Sequence, residues 1–448
     1  MDRSKFPDFS NEKQCRQYIK ALVWFAVILR TLFALKSLFY INAHDAGLEY
    51  FSPIQFNNTG HLAYIDYIVK HKSFPAIDIT NVLGEPSQFY HPPLFHTIAA
   101  LIKALVNALG LSDRVAFEVI QQVNMTFSCI SLFVCVRIFD ELALSGKGKI
   151  LATILCAFNP GFITIGSEMN NDCLMTLFCL LSILYTLRWL KQQTWKNITL
   201  IMVFLVLGML TKTSAVLIAP AIGMAFLYKL ITSRDTRIPL IKQYIFFGFT
   251  SIPLGLSWVL RNYFRYSVPF NYVPKLTTDS VQYVGNAPLL KRLFVPSIEQ
   301  LTNSHFDYHK YSPVKFSNIW GQMFQTMNLD EGILSNSGRT LTTVLNVSSI
   351  ILYIVLLVMF ILYLIRRNRT DERLVLGGTY FSLMIMFVLF AFQYPWICSM
   401  SFRYIAVTWV VLAAGAIKYA EKKPRLLLTT SICSFVYSFI SIVAYLFF

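Results

Sequence analysis

The chain has 448 residues, 55% of them hydrophobic and only 14% charged, with 39 Lys and Arg against 23 Asp and Glu for a net charge of +16. Soluble domains run at about a quarter charged, and no polar surface covers this much apolar residue. A mean hydropathy of +0.54 therefore excludes a soluble globular protein, a disordered chain and a secreted disulfide scaffold, and leaves an all-α polytopic membrane protein.

Apolar runs of roughly bilayer-spanning length recur at 18–41, 91–109, 115–138, 149–165, 171–190, 197–211, 213–230, 243–264, 341–365, 374–394, 402–419 and 426–447. Backbone in lipid must bond internally, so the runs are predicted as helices, with about 11–13 of them crossing. The polar stretch before the first run reads as no cleavable signal. Two stretches, Asn42 to Tyr90 and Tyr266 to Thr340, are too long to be turns. They alternate apolar and aromatic positions with Pro and Gly, which suits short interfacial helices such as the one around His61 to Val69.

Charge sets the orientation. Segments 1–20, 137–149, 188–196, 229–242, 366–373 and 418–425 hold 23 Lys and Arg against 9 Asp and Glu, and the remainder holds 16 against 14. The basic excess marks the cytoplasmic side and places both long loops outside. One conflict follows. Two runs, 91–109 and 115–138, lie between an outer loop and an inner one, where parity demands an odd number. The run opening at His91-Pro92-Pro93 is the expected exception, a re-entrant or interfacial helix. Along the chain we expect a catalytic transmembrane module over 1–265, a second outer loop over 266–340 and C-terminal helices over 341–448.

Eight cysteines lie mostly inside apolar runs with no C-x-x-C pair, so neither a disulfide framework nor a zinc site is expected. All seven histidines, His44, His61, His71, His91, His96, His305 and His309, fall on the outer side or at the mouth of an outer helix. Charges in or at the edge of the membrane are costly and point to function: Arg30 and Lys36, Glu168 and Asp172, Lys212, Arg261 and Arg265, and Arg403. Bases at the outer boundary suit an anionic lipid headgroup, and arginine forks match phosphate. Acids beside them suit deprotonation of a hydroxyl. No Walker loop or G-x-S-x-G elbow occurs. Lipid phosphate plus a general base is the equipment for group transfer from a lipid carrier.

An ordered set of motifs shares that outer side: His44-Asp45 through Glu49-Tyr50, Gly60-His61-Leu62-Ala63-Tyr64-Ile65, Tyr90-His91-Pro92-Pro93-Leu94-Phe95-His96, Asn171-Asp172, Thr211-Lys212, Trp258-x-x-Arg261-Asn262 and Phe402-Arg403-Tyr404. The set resembles the GT-C superfamily of integral-membrane glycosyltransferases that use polyprenyl-phosphate sugars, on the branch of protein O-mannosyltransferases and lipid A aminoarabinose transferases. The resemblance implies a GT-C-like bundle and an inverting transfer of a sugar from undecaprenyl or dolichyl phosphate to an acceptor glycan, lipid or protein. It implies Asp45 as catalytic base, with Glu49 or Asp66 as alternatives. Lys212, Arg261 and Arg403 would neutralise the departing phosphate, Asp172 or Glu168 would orient sugar or acceptor, and His61, His91 and His96 would hydrogen-bond them. No metal or other cofactor and no nucleic-acid partner is expected.

Three positions depart from that pattern. The second acid, Glu49, is not adjacent to Asp45; His91 stands where many relatives have lysine; and Asn57-Asn58-Thr59 stands where many have an acid. The competing class is a lipid-linked-sugar flippase or polytopic transporter, which would place its charges near the midplane on broken helices. The expected location is the plasma membrane, or the endoplasmic reticulum membrane in a eukaryote. Asp45→Asn should abolish sugar transfer at normal expression. Undiminished transfer by the purified variant would remove Asp45 as the base.

Overall fold

The computed structural model describes residues 11–37, 60–79, 88–233, 237–303, 312–330, 339–366 and 371–447. The described α-helices are Glu12–Lys36 (α1), Gly60–His71 (α2), Leu94–Ala108 (α3), Asp113–Glu141 (α4), Gly146–Ala157 (α5), Pro160–Ser167 (α6), Asp172–Lys191 (α7), Trp195–Thr211 (α8) and Ala219–Thr232 (α9). They continue as Arg237–Gly255 (α10), Ser257–Tyr266 (α11), Leu289–Leu293 (α12), Ile298–Thr302 (α13), Ile319–Leu329 (α14), Arg339–Ile365 (α15), Glu372–Gln393 (α16), Ala406–Ala420 (α17) and Pro424–Phe447 (α18). Among the described residues the sole β contact is one isolated bridge, Tyr283 with Trp396.

Each of the twelve expected apolar runs is mostly helical over its described residues. Among the described residues eight helical segments are long and apolar enough to cross a membrane, and two bent pairs, α5 with α6 and α10 with α11, raise the number to ten. Helices α3 and α8 are shorter. At fifteen residues α3 rises only ~22 Å, short of a hydrocarbon core of about 30 Å. It is the run that parity singled out. Setting α3 aside and letting α8 cross makes every basic turn fall on one side. The turns around Glu168, Lys212 and Arg403 then share the other side with the second long loop.

Polar caps start the helices. Asn11 accepts from the backbone N–H of Lys13 at 3.0 Å, Ser145 from Gly148 at 3.2 Å and Asn318 from Gly321 at 2.8 Å, each satisfying a donor the first turn leaves over. The α5–α6 pair bends by 46°, and Pro160 opens α6, where its missing N–H costs nothing. The bend strands four consecutive carbonyls, and side chains from distant helices meet all of them. Trp409 Nε1 donates to Leu155 O at 2.9 Å, Arg30 Nη2 to Cys156 O at 2.9 Å and to Ala157 O at 3.2 Å, and Ser441 Oγ to Phe158 O at 2.8 Å. Arg30 Nη1 also donates to Ser128 O at 2.7 Å. Arg30, an apparent anomaly within the first apolar run, is thus a structural strut that ties α1, α4 and α5 together at a helix break.

A second buried cation ties the outer end. Lys103 on α3 pairs with Asp66 on α2 and, at 2.9 Å, with Asp113 at the start of α4. The second outer loop is pinned to the turn after α16. Val284 N donates to Pro395 O at 2.9 Å, Ile397 N donates to Gln282 O at 3.0 Å, and Trp396 Nε1 donates to Thr277 O at 3.2 Å. The loop therefore roofs the bundle at one place.

Arg30→Leu should destabilise the detergent-solubilised protein by about 2–4 kcal/mol, because a buried charged donor and its carbonyl partners are lost together. Ser441→Ala, which removes one neutral bond, should cost ~1 kcal/mol. Thermal unfolding of the two variants measures the order, and equal midpoints would show that the bend does not depend on Arg30.

Candidate active site

Beneath the pinned loop lies a cavity of about 910 Å³. Its polar side is built at breaks in the helices. Asp172 is the first residue of α7, after Asn171, whose side-chain amide donates to Thr211 O at 3.0 Å. That bond brings the start of α7 beside the end of α8. Lys212 caps α8 in extended backbone before a 3-10 turn, Thr213–Ile218. Its Nζ lies 2.6 Å from Asp172 Oδ1 and 4.9 Å above the Tyr404 ring. Arg403 sits in a second 3-10 turn, Phe402–Ile405, ahead of α17. Its Nε lies 3.9 Å from Asp172 Oδ2, its guanidinium 5.1 Å from the Tyr404 ring centre, and Nη2 donates to the Tyr404 hydroxyl at 3.2 Å.

Asp172, Lys212 and Arg403 all line the cavity, as do Ser214, Asn262 and Gln282. Both cations face the cavity beside the Asp172 carboxylate. A wall that presents an ammonium and a guanidinium suits an anion. The opposite wall is apolar: Leu217, Leu383, Met386, Phe387 and Phe390. Four of these five belong to α16, and Ile385, Met386 and Leu389 of that helix are exposed, which for a spanning helix is the side facing lipid. One cavity thus joins a charged floor to an apolar flank on a membrane helix.

The histidines form the third wall. His61 and His91 line the cavity, and His96 is fully buried behind them. His61 Nδ1 lies 2.8 Å from His96 Nε2. The rings of His61 and His91 are stacked with centres 5.7 Å apart, and Tyr64 stacks on His96 with centres 4.0 Å apart. Among the described residues no three His, Cys, Asp or Glu side chains are arranged to hold a metal ion.

Other expected site residues stand elsewhere. Arg261 is not in the cavity wall. Its guanidinium stacks 4.2 Å from the Trp258 ring centre and donates to Asn262 Oδ1 at 2.8 Å and to Pro75 O at 2.9 Å, while Trp258 Nε1 donates to Tyr90 O at 3.0 Å. It braces the wall that Asn262 and Tyr90 line. Glu168 is fully buried one layer behind Asp172, holding the side chain of Asn170. Burial, and then the neighbouring carboxyl of Asp330, push its own carboxyl well above the usual carboxylate range, against a smaller pull from Arg403. Asp66, the third candidate base, is committed to Lys103. Asp45 and Glu49 lie outside the described residues.

Sequence reasoning missed Asp330, Tyr404 as a platform for both cations, and Gln282 and the Tyr394–Trp396 turn, which all line or back the cavity. Tyr404 alone carried a signal, as part of the Phe402-Arg403-Tyr404 motif. The others come from distant loops with no motif.

Residues 90–258 match the family model described as dolichyl-phosphate-mannose-protein mannosyltransferase. That segment contains His91, His96, Glu168, Asp172 and Lys212. Among curated proteins no sequence matches the chain. Solved structures similar to it include the oligosaccharyltransferase of Archaeoglobus fulgidus in complex with zinc and sulfate, at 10% identity and a TM-score of 0.48, over 94% of this chain and 52% of that one. The same enzyme in its apo form has a TM-score of 0.45 at 10% identity, over 95% and 55% of the two chains. The archaeal oligosaccharyltransferase AglB of that organism, with an inhibitory peptide and a dolichol-phosphate, has a TM-score of 0.37 at 11% identity, over 94% and 50%. The chain spans about half the length of these solved chains.

Glu168→Gln should flatten the pH dependence of stability. A carboxyl held above its unfolded range binds its proton more firmly when folded, so stability falls as pH rises above about 4 towards the raised value. Thermal unfolding at pH 5 and pH 8 should show a larger loss for the parent protein than for the variant; parallel losses would exclude Glu168 as the source.

Proposed function

We propose that this chain, whose residues 90–258 match the family model of dolichyl-phosphate-mannose-protein mannosyltransferases, is an inverting integral-membrane glycosyltransferase of the GT-C kind. It moves a sugar from a polyprenyl phosphate to an acceptor hydroxyl on the outer or luminal side of the membrane. The observation that carries the assignment is the cavity itself, with Lys212 and Arg403 at its polar end and an apolar flank on α16. A polyprenyl-phosphate sugar has the matching shape of charge: one phosphodiester anion between a polar sugar and a hydrocarbon chain.

In this assignment the acceptor oxygen attacks the anomeric carbon, the bond from that carbon to the phosphate oxygen breaks, and a carboxylate takes the hydroxyl proton. Charge develops on the leaving phosphate, and Lys212 and Arg403 are positioned in advance to neutralise it. Asp172 holds both cations in place, and its seat at the start of α7 is favoured by the helix dipole. Arg261 is reassigned from phosphate binding to bracing of the wall. Asp45 or Glu49 is the base. The transfer assigns no role to a metal ion. The membrane is the plasma membrane, or the endoplasmic reticulum membrane in a eukaryote, and the acceptor is a glycan, a lipid or a protein.

Purified protein in liposomes should transfer sugar when a polyprenyl-phosphate sugar is the only donor. Lys212→Met should lower kcat/KM by about 10²-fold, the usual loss for one preorganised charge donor. A strict requirement for a nucleotide sugar would overturn the assignment.

A further inference from the structure

The wall that Arg261 braces carries a carboxamide whose two ends are told apart by their partners. Trp258 and Asn262 are the buried residues of α11, one turn apart on its inner face. Arg261 Nη1 donates to Asn262 Oδ1 at 2.8 Å. A guanidinium has only N–H donors and no acceptor, so the atom that it meets must be the oxygen. The amide nitrogen in that place would set N–H against N–H. The guanidinium is itself held on several sides. It lies 4.2 Å from the Trp258 ring centre and 4.9 Å from that of Tyr266, and Nη2 donates to Pro75 O at 2.9 Å and to the Tyr266 hydroxyl at 3.3 Å.

The acceptors of Asn262 are thus engaged, since its backbone carbonyl takes a bond from Val268 N at 3.2 Å. Its donor is not. Nδ2 bonds to none of the described residues, and it is not among the polar atoms sealed from solvent. Asn262 is only 4% exposed and lines the cavity, so the surface that its amide keeps opens on the cavity. The cavity also sorts its donors by charge. Lys212 and Arg403 stand at the Asp172 end, where an ammonium and a guanidinium suit phosphate. Asn262 offers neutral N–H groups on the wall that Tyr90 shares, and these suit neutral oxygens.

We infer that Asn262 binds the sugar of the donor, giving an Nδ2 hydrogen to a hydroxyl or ring oxygen, and that Arg261 is the positioning residue that fixes the amide in this sense. The inference rests on the glycosyltransferase assignment for the sugar that is bound.

Two lipids that differ only in the sugar separate this contact from a structural role. Binding of dolichyl phosphate mannose to the purified protein in detergent should weaken about tenfold in Asn262→Leu, the upper range for one hydrogen bond, while dolichyl phosphate alone stays within about twofold of the parent. Asn262→Ala, which leaves room for water at the guanidinium, is read in the same way should the leucine variant not fold. Arg261→Met, which lets the amide turn over, should lose about threefold on the mannose lipid and again spare the bare one. Equal losses for the two lipids in these variants, or no loss for the mannose lipid, would overturn the inference. A parent protein that binds neither lipid would overturn it together with the glycosyltransferase assignment. A parent that binds with this selectivity and transfers no sugar would sink the assignment alone.

Discussion

Lipid offers no partner to an unpaired backbone group, so this chain can put irregular backbone, and the polar side chains that depend on it, only where its helices break inside the protein. The break between α5 and α6 shows the cost being met: four carbonyls take bonds from Trp409, Arg30 and Ser441, side chains supplied by three other helices. Glu168 closes α6, Asp172 opens α7, Lys212 closes α8, and Arg403 sits in the turn before α17. The candidate active site is a collection of helix ends brought to one level by the packing of the spans between them.

The same constraint separates two kinds of buried charge. Arg30 and Lys103 are matched by fixed partners, carbonyls in the first case and two carboxylates in the second. Their charges are consumed by structure. Lys212 and Arg403 lie beside the Asp172 carboxylate and face a cavity. A buried charge pair is weak evidence for stability, but charges that line a cavity beside an apolar flank bear on what can bind there.

Tyr404 contributes to both cations at once, lying under Lys212 and Arg403. An aromatic face keeps the two cations near each other without neutralising either. The loop above is held by the Tyr283–Trp396 bridge and by Trp396 Nε1 on Thr277, so the roof of the cavity hangs on the turn just before Arg403. The apolar flank on α16 and the polar floor are thereby joined through a few residues of one turn.

Much of this was legible in order along the chain. Apolar runs and basic turns set the helices and their orientation, because hydropathy and charge act locally and need no partner. Parity alone identified the region of α3 as the exception. Asp172, Lys212 and Arg403 were also legible, since a charge at a membrane edge is costly wherever it occurs. What the sequence could not determine was which charges meet. Arg261 and Arg403 look alike as arginines at helix ends, yet one stacks on Trp258 against Pro75 and the other faces Asp172. Arg30 and Lys212 both interrupt apolar runs, yet one closes a backbone break and the other lines the cavity. Local pattern fixes the level of a residue in the membrane, while its neighbours come from other elements, 40 residues away for Lys212 and Asp172 and 186 for Arg261 and Pro75, and only tertiary packing decides what a charge meets.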